Sequence, residues 1–431
     1  PPPFFFSMKN EKLLTVLKIA GVFACLYLFL IGIGGMGAAF KGEFKDTAAR
    51  LLEATKSPVV GLFIGILATT IVQSSSTTTS LIVGLVAAGA VDVGGAIFMV
   101  MGANVGTTVT AKIVSLGHIT RKSEFRRAFS AASLHDTFNI ITVAILLPLE
   151  LAFGFLKTAA GYLGGIFIDV TGVTKPENYI KKATKPVIEW MGDVLNGEGW
   201  LLVVSVLITF CMLFAIGKLL KSLVLKKLEA FFDAYLFRNA GIAFVVGICL
   251  TVLVQSSSIT TSLIIPLAGA GVLRLPQIFP FDIGANIGTT MTGLLAALAA
   301  ASAVTVEPGQ PVPPEIVAGA TVAFAHFLFN CTGALVFMPY APIRDIPVKI
   351  AERIAEFCLR NRVIPIVLIV CVFYLIPIAV TWSTVSGALK GGKAKEEQSV
   401  PGAVDDNGTQ QPDENATDSN ATDGNATESG K

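Results

Sequence analysis

QSSSTTTS, residues 73–80, returns as QSSSITTS at 255–262, with seven of eight positions identical and an offset of 182 residues. The first copy lies inside Pro58–Val91, a stretch without a charged residue. Its flanks, VVGLFIGILATTIV and LIVGLVAAGAV, have the composition of chain dissolved in hydrocarbon or in a protein core. Consecutive hydroxyl and amide side chains at that depth need partners, because a polar group buried without one is costly.

The duplication extends outward from the octets. GANVGTTVT (102–110) is answered by GANIGTTMT (284–292), seven of nine identical, again at 182. Gly65 and Thr69 align with Gly247 and Thr251 at the same offset, and HDTFN (135–139) faces HFLFN (326–330) at 191. The nine extra residues fall around EPGQPVPPE. A register held this far marks two copies of one structural unit, at 13–155 and 199–339.

Composition places both units in a membrane. The 431 residues are 53% hydrophobic and 14% charged, against about 25% charged in a soluble domain. A bilayer core needs about 20 apolar residues per helix. Runs of about that length occur at 13–36, 93–116, 129–155, 199–217, 277–304, 317–339 and 363–383. None alternates in polarity as the short strands of a membrane barrel would. The expected fold is therefore an all-α polytopic membrane protein. A net charge of +2, with the basic residues spread over short loops, gives no reason to expect a nucleic-acid partner. The six cysteines fall singly, without metal or redox spacing, and are expected to pack.

Loop charge sets the relative orientation of the units. HITRKSEFRR, with Arg121, Lys122, Arg126 and Arg127, is expected to be cytoplasmic by the positive-inside rule. Its counterpart SAVTVEPGQPVPPE has no basic residue, while Lys218, Lys221, Lys226 and Lys227 lie at the opening of the second unit. Equivalent loops facing opposite sides make two inverted-topology repeats, the plan of secondary transporters with a midplane site. The full expected organisation is a cytoplasmic segment 1–12, unit 13–155, an extracytoplasmic linking loop 156–198, unit 199–339, a basic segment and extra transmembrane helix 340–387, and a disordered acidic tail 388–431. Sequons begin at Asn407, Asn415, Asn420 and Asn425 in that tail, and PPPFFFSMKNEK before the first span has too little structure for a signal peptide.

The fourteen apolar residues before Gln73 rise about 21 Å as helix and the eleven after Ser80 about 16 Å. Neither crosses a bilayer alone, so they read as arms of a re-entrant helical hairpin. Pro266 fits an interrupted helix beside the second octet. A lone Ser or Thr in such a place usually bonds back to its own helix; an octet repeated with its Gln kept points to a site. Gly102, Gly106, Gly284 and Gly288 allow a broken helix or close helix contact, and Asn104 and Asn286 offer amide oxygens. These motifs hold neutral oxygens and N–H donors only. Hard cations such as sodium accept those oxygens, half-helix N-termini suit anions, and co-bound sodium would offset the anion's charge. Proton coupling would need an ionisable group, for which His135, Asp136, His326, Asp92 and Asp282 are the candidates.

QSSSTTTS, QSSSITTS and the two GAN(V/I)GTT segments resemble the paired signature of the type II sodium-dependent phosphate cotransporters, over about 41–339. The resemblance implies sodium-coupled symport of inorganic phosphate across the plasma membrane, with no enzyme activity and no cofactor beyond co-transported sodium. It implies phosphate binding at Gln73, Ser74, Ser75, Gln255, Ser256 and Ser257. It implies sodium binding at Gln73, Ser76, Thr77, Asn104, Thr107, Ser258, Thr260, Thr261, Asn286 and Thr289. Residues 170–197 are short and carry no sequon, as in a microbial member. Two other readings stay open on the residues: a sodium-coupled carrier of another oxyanion or a dicarboxylate, and an intramembrane serine hydrolase, for which His118, His135 and His326 are the available bases.

Overall fold

The computed structural model describes residues 3–41, 57–171, 179–195, 197, 199–209, 211–212, 215, 218–219, 239–302, 312–382 and 386. Lys221, Lys226, Lys227, residues 303–311 and the acidic tail with its four sequons lie outside that set.

The described chain is helical. In order the helices are α1 (Pro3–Lys41), α2 (Pro58–Val72), α3 (Ser75–Ala87), α4 (Val93–Gly106), α5 (Thr108–Leu116), α6 (Lys122–Phe153), α7 (Phe155–Thr171) and α8 (Tyr179–Leu195). There follow α9 (Gly199–Thr209), α10 (Ala240–Val254), α11 (Ser257–Ser262), α12 (Ile264–Ala270), α13 (Leu275–Ser302), α14 (Pro314–Phe337) and α15 (Ala341–Cys358). The last, α16 (Val363–Trp382), contains a π-helical turn at Cys371–Leu375. Six stretches are long and apolar enough to cross a membrane: Leu13–Met36, Val93–Leu116, Lys122–Phe153, Leu275–Ser302, Pro314–Phe337 and Val363–Trp382. The chain is a polytopic, all-α membrane protein.

Glycine decides how the first arm of each hairpin meets its neighbour. A Cβ on Gly65 would collide with the carbonyl of Met99, and one on Gly102 with the carbonyl of Leu62, so α2 and α4 cross with their backbones in contact. At the 182 offset the same collisions arise between Gly247 and Phe281 and between Gly284 and Phe244, where α10 crosses α13. Small residues permit such approach, and in lipid, where helices gain little from leaving apolar solvent, close packing holds them together.

The second arms reach across. α3 packs on α13 and α14, while α12 packs on α6 and α5. Val83 and Val86 of α3 share a core with Ala296, Ala297 and Ala300 of α13. Reciprocally, Ile264, Ile265 and Ala268 of α12 share one with Ala128, Ala131 and Ala132 of α6. Phe138 (α6), Phe279 (α13) and Phe337 (α14) belong to this second core and meet edge to face, with ring centroids 5.6–6.1 Å apart.

Residues 156–198, expected as a loop, instead hold most of α7 and all of α8. Gly154 turns the chain at φ +58, and the buried Glu150 caps the new helix by accepting from Leu156 N (2.5 Å) and Lys157 N. The apolar face of α7 lies on α14, with Gly164 against Thr321. α15 lies on α6 in the same way.

Candidate functional site

The two octets form two tips of one design. At the end of α2, Gln73 takes a left-handed conformation (φ 57, ψ 25) and Ser74 is extended (φ −154, ψ 106) before α3 begins. At the end of α10, Gln255 (φ 56, ψ 27) and Ser256 (φ −156, ψ 108) repeat those angles before α11. Gln73 and Gln255 are the only non-glycine residues with positive φ among the described residues. A non-glycine residue in that region is strained and persists where surrounding contacts over-determine it. The contacts are visible here. Each Gln backbone N–H closes the preceding arm on Thr69 O or Thr251 O, at 2.7 Å in both copies. Each Gln side-chain amide donates to a carbonyl three residues back, Thr70 or Val252. Each Ser hydroxyl then accepts from the amide of the third residue of the next helix, Thr77 or Ile259.

Every tip therefore presents a helix carboxyl end and a helix amino end side by side. The last carbonyls of one arm and the first amides of the next lack partners within their helices, and the two ends carry opposite partial charge. Gln73, Ser74, Gln255 and Ser256 are partly exposed, whereas Ser75, Ser76, Thr77, Ser257, Ser258, Thr260 and Thr261 are buried. Several hydroxyls bond back to their own helix: Thr78 to Ser74 O, Thr260 to Ser256 O and Thr261 to Ser257 O. Thr107 and Thr289 do likewise, to Ala103 O and Ala285 O. Their lone pairs stay available. The hydroxyls of Thr69, Thr79, Thr108, Thr251 and Ser262 are buried with no partner among the described residues, in a setting where buried polar groups are normally paired.

Asn104 and Asn286 sit together with residues of α6 and α14 rather than on the tips. Asn104 Oδ1 accepts from Asn330 Nδ2 (3.2 Å) and lies 3.2 Å from His326 Nε2. Asn139 Nδ2 donates to Asn104 O, and Asn286 Nδ2 donates to Asn139 Oδ1 at 3.4 Å. The pattern is reciprocal: Asn104 of the first unit meets Asn330 of the second, and its mate Asn286 meets Asn139, the mate of Asn330. No hydrogen bond among the described residues joins one octet to the other, or either octet to Asn104 or Asn286. The link is α5. Its Thr110 donates to Gln73 Oε1 at 2.9 Å, and the same helix packs against α11.

Sequence reasoning missed a charged group at this depth. Lys112 of α5 is 0% exposed, 3.1 Å from Asp136 Oδ2 and 3.0 Å from Ser133 Oγ, with its ammonium over the Phe129 ring. Next to Asp136, His135 Nδ1 lies 2.9 Å from Asp282 Oδ1 of α13. Lys112 is the lone charge in the apolar run 93–116, which was its available signal. Asn139 and Asn330 could have been read from HDTFN and HFLFN. Asp92, by contrast, is a helix cap, its Oδ2 accepting from Gly94 N and Gly95 N at the start of α4. None of the three histidines hydrogen-bonds a serine of either octet: His118 meets Glu124, His135 meets Asp282, and His326 meets Asn104.

The sequence model of a family described as Na+/Pi-cotransporter matches residues 28–172 and 207–337. The sodium-dependent phosphate transport protein 2A of Rattus norvegicus is 30% identical, over 88% of this chain and 70% of that protein. The 2A protein of Ovis aries is 29% identical over 90% of this chain and 71% of its own, and the 2B protein of Homo sapiens 28% identical over 84% and 64%. No solved structure matches the chain significantly.

Proposed function

This chain belongs to the Na+/Pi-cotransporter family, and from that premise we propose that it moves inorganic phosphate with sodium by alternating access around one site shared between its two tips. Sodium-coupled symport of phosphate is the activity, and the transport substrates are phosphate and sodium. The observation that carries the shared site is the repeated tip geometry, in which a left-handed Gln and an extended Ser expose a helix amino end beside a helix carboxyl end, twice. Helix amino ends favour an oxyanion, and carboxyl ends with hydroxyl and amide oxygens favour sodium.

In this reading phosphate lies against Gln73, Ser74, Ser75, Gln255, Ser256 and Ser257. Sodium lies among Gln73, Ser76, Thr77, Thr107, Ser258, Thr260, Thr261 and Thr289, with Asn104 and Asn286 closing the site from the core. Sodium supplies the positive charge that keeps a buried phosphate from being prohibitively costly. The two units are inverted copies, with the amino end and the Arg121–Arg127 loop cytoplasmic in a plasma membrane. The swapped second arms support a rocking of one unit against the other, since each unit already carries an arm of its partner.

The test is uptake of labelled phosphate into proteoliposomes holding the purified chain. Uptake driven by an inward sodium gradient and absent with potassium is the expected result. Competition by sulfate or succinate at concentrations as low as phosphate itself would reassign the substrate, and gradient-independent uptake would overturn the coupling.

A further inference from the structure

A cavity of about 510 Å³ opens where α6 begins, away from both octets, against the corner between α12 and α13 and beside α15. Ser123, Arg126, Arg127, Arg274 and Glu352 line it, three arginines with one glutamate. Arg127 is fixed in place, because its Nε and Nη2 both donate to Gly269 O, at 2.9 and 2.6 Å. Gly271 ends α12 at φ +81, with the Arg127 guanidinium at ordinary contact distance, 3.5 Å, from where a Cβ would lie. Arg126 is held by Glu356 of α15 at 2.5 Å. The guanidinium of Arg274 has no partner among the described residues, although its backbone N–H is occupied by Gln277 Oε1 (3.0 Å). The first turn of α6 has no side-chain cap, which leaves its leading amides without helical partners.

Planar guanidinium forks converging beside an uncapped helix start are the donor set for phosphate oxygens. Depth narrows the source. α6 is a 32-residue apolar helix, so its first turn lies where a spanning helix leaves the hydrocarbon. Alongside it α15 is amphipathic, with Arg344, Lys349 and Arg353 in its sequence and Ile343, Ile346 and Phe357 exposed, as in a helix that lies in the interface. We infer that this cavity is a second, non-transporting site for a phosphate-bearing anion, taken either from a lipid headgroup or from free phosphate on the same side of the membrane. The inference needs the chain to span a membrane and does not depend on the assignment of the tips.

The experiment uses the full chain purified in detergent and two probes, phosphatidylglycerol and inorganic phosphate, both titrated in sodium-free buffer and read by equilibrium binding. Arg274→Gln, at an exposed position, should weaken binding about fivefold, and Arg127→Gln/Arg274→Gln by more, since one basic group near an anionic headgroup contributes about that factor. Glu352→Gln should strengthen it. An effect confined to phosphatidylglycerol assigns the lipid headgroup, and one confined to inorganic phosphate assigns the free anion. Identical titrations of wild type, Arg274→Gln and Glu352→Gln with both probes would overturn the site. If the double variant fails to fold, the two single variants still decide.

Discussion

The two units share their tips and differ in where they are broken. In the first, the second arm α3 runs unbroken from Ser75 to Ala87, and the GAN helix is interrupted at Thr107. In the second, the arm is interrupted at Leu263, and the GAN helix runs unbroken from Leu275 to Ser302. Pro266 explains the second case: it cannot donate to Ser262 O, and its ring crowds that carbonyl. In the first unit the displaced piece, α5, is held by two contacts that the second unit lacks. Thr110 bonds Gln73 and Lys112 pairs with Asp136, whereas Thr292 bonds within its own helix and the position of Lys112 is Leu294. Duplication has kept the tip geometry and let the supporting helices diverge.

The largest departure from symmetry is Lys112. Replacing it with Met leaves Asp136 buried without its ion-pair partner, which should destabilise the protein by about 3 kcal/mol or more. Melting of the detergent-purified protein measures this, and adding Asp136→Asn should restore most of the loss. An unchanged melting curve for Lys112→Met would mean the pair does not hold α5.

Gly102→Ala and Gly284→Ala test the shared part. Each added Cβ meets a carbonyl of the crossing arm, so each should cost roughly 1–3 kcal/mol by overpacking. Gly161, with nothing within 4 Å of an added Cβ, is the silent control. Tolerance at one of the two crossings would show that the arms are not equivalent.

Ser74→Ala and Ser256→Ala each remove a helix cap worth about 1 kcal/mol and should lower phosphate uptake in both cases. Ser74 should be the more sensitive, because its hydroxyl also bonds Thr77 Oγ1 while the matching residue is Ile259. Full uptake in both variants would reduce these hydroxyls to packing. The smallest effect belongs to Thr110→Val, which removes one hydrogen bond to Gln73, about 0.5–1.5 kcal/mol. It should raise the phosphate concentration for half-maximal uptake, whereas Thr292→Val should not.

Much of this was legible because the evolutionary copy is written in the sequence. The offset of 182 marks both tips and the equivalence of Gly65 and Thr69 with Gly247 and Thr251, while the GAN glycines left open a broken helix or a close helix contact. What was hidden depends on which helix faces which. Nothing in the local pattern says that Asn104 meets Asn330 of the other unit, or that a lone Lys112 finds Asp136, since the first pairing crosses between the units and the second depends on how α5 lies against α6. The helices within 156–198 were missed because GYLGGIFIDV is short and followed by charged, Pro-containing chain, which reads as a loop until its apolar face is seen on α14.

A cryo-electron microscopy structure of the chain in sodium and phosphate addresses the shared site most directly. One phosphate held simultaneously by the Gln73–Ser75 and Gln255–Ser257 segments is the predicted result. Phosphate held by a single tip, with the other turned to lipid, would contradict it.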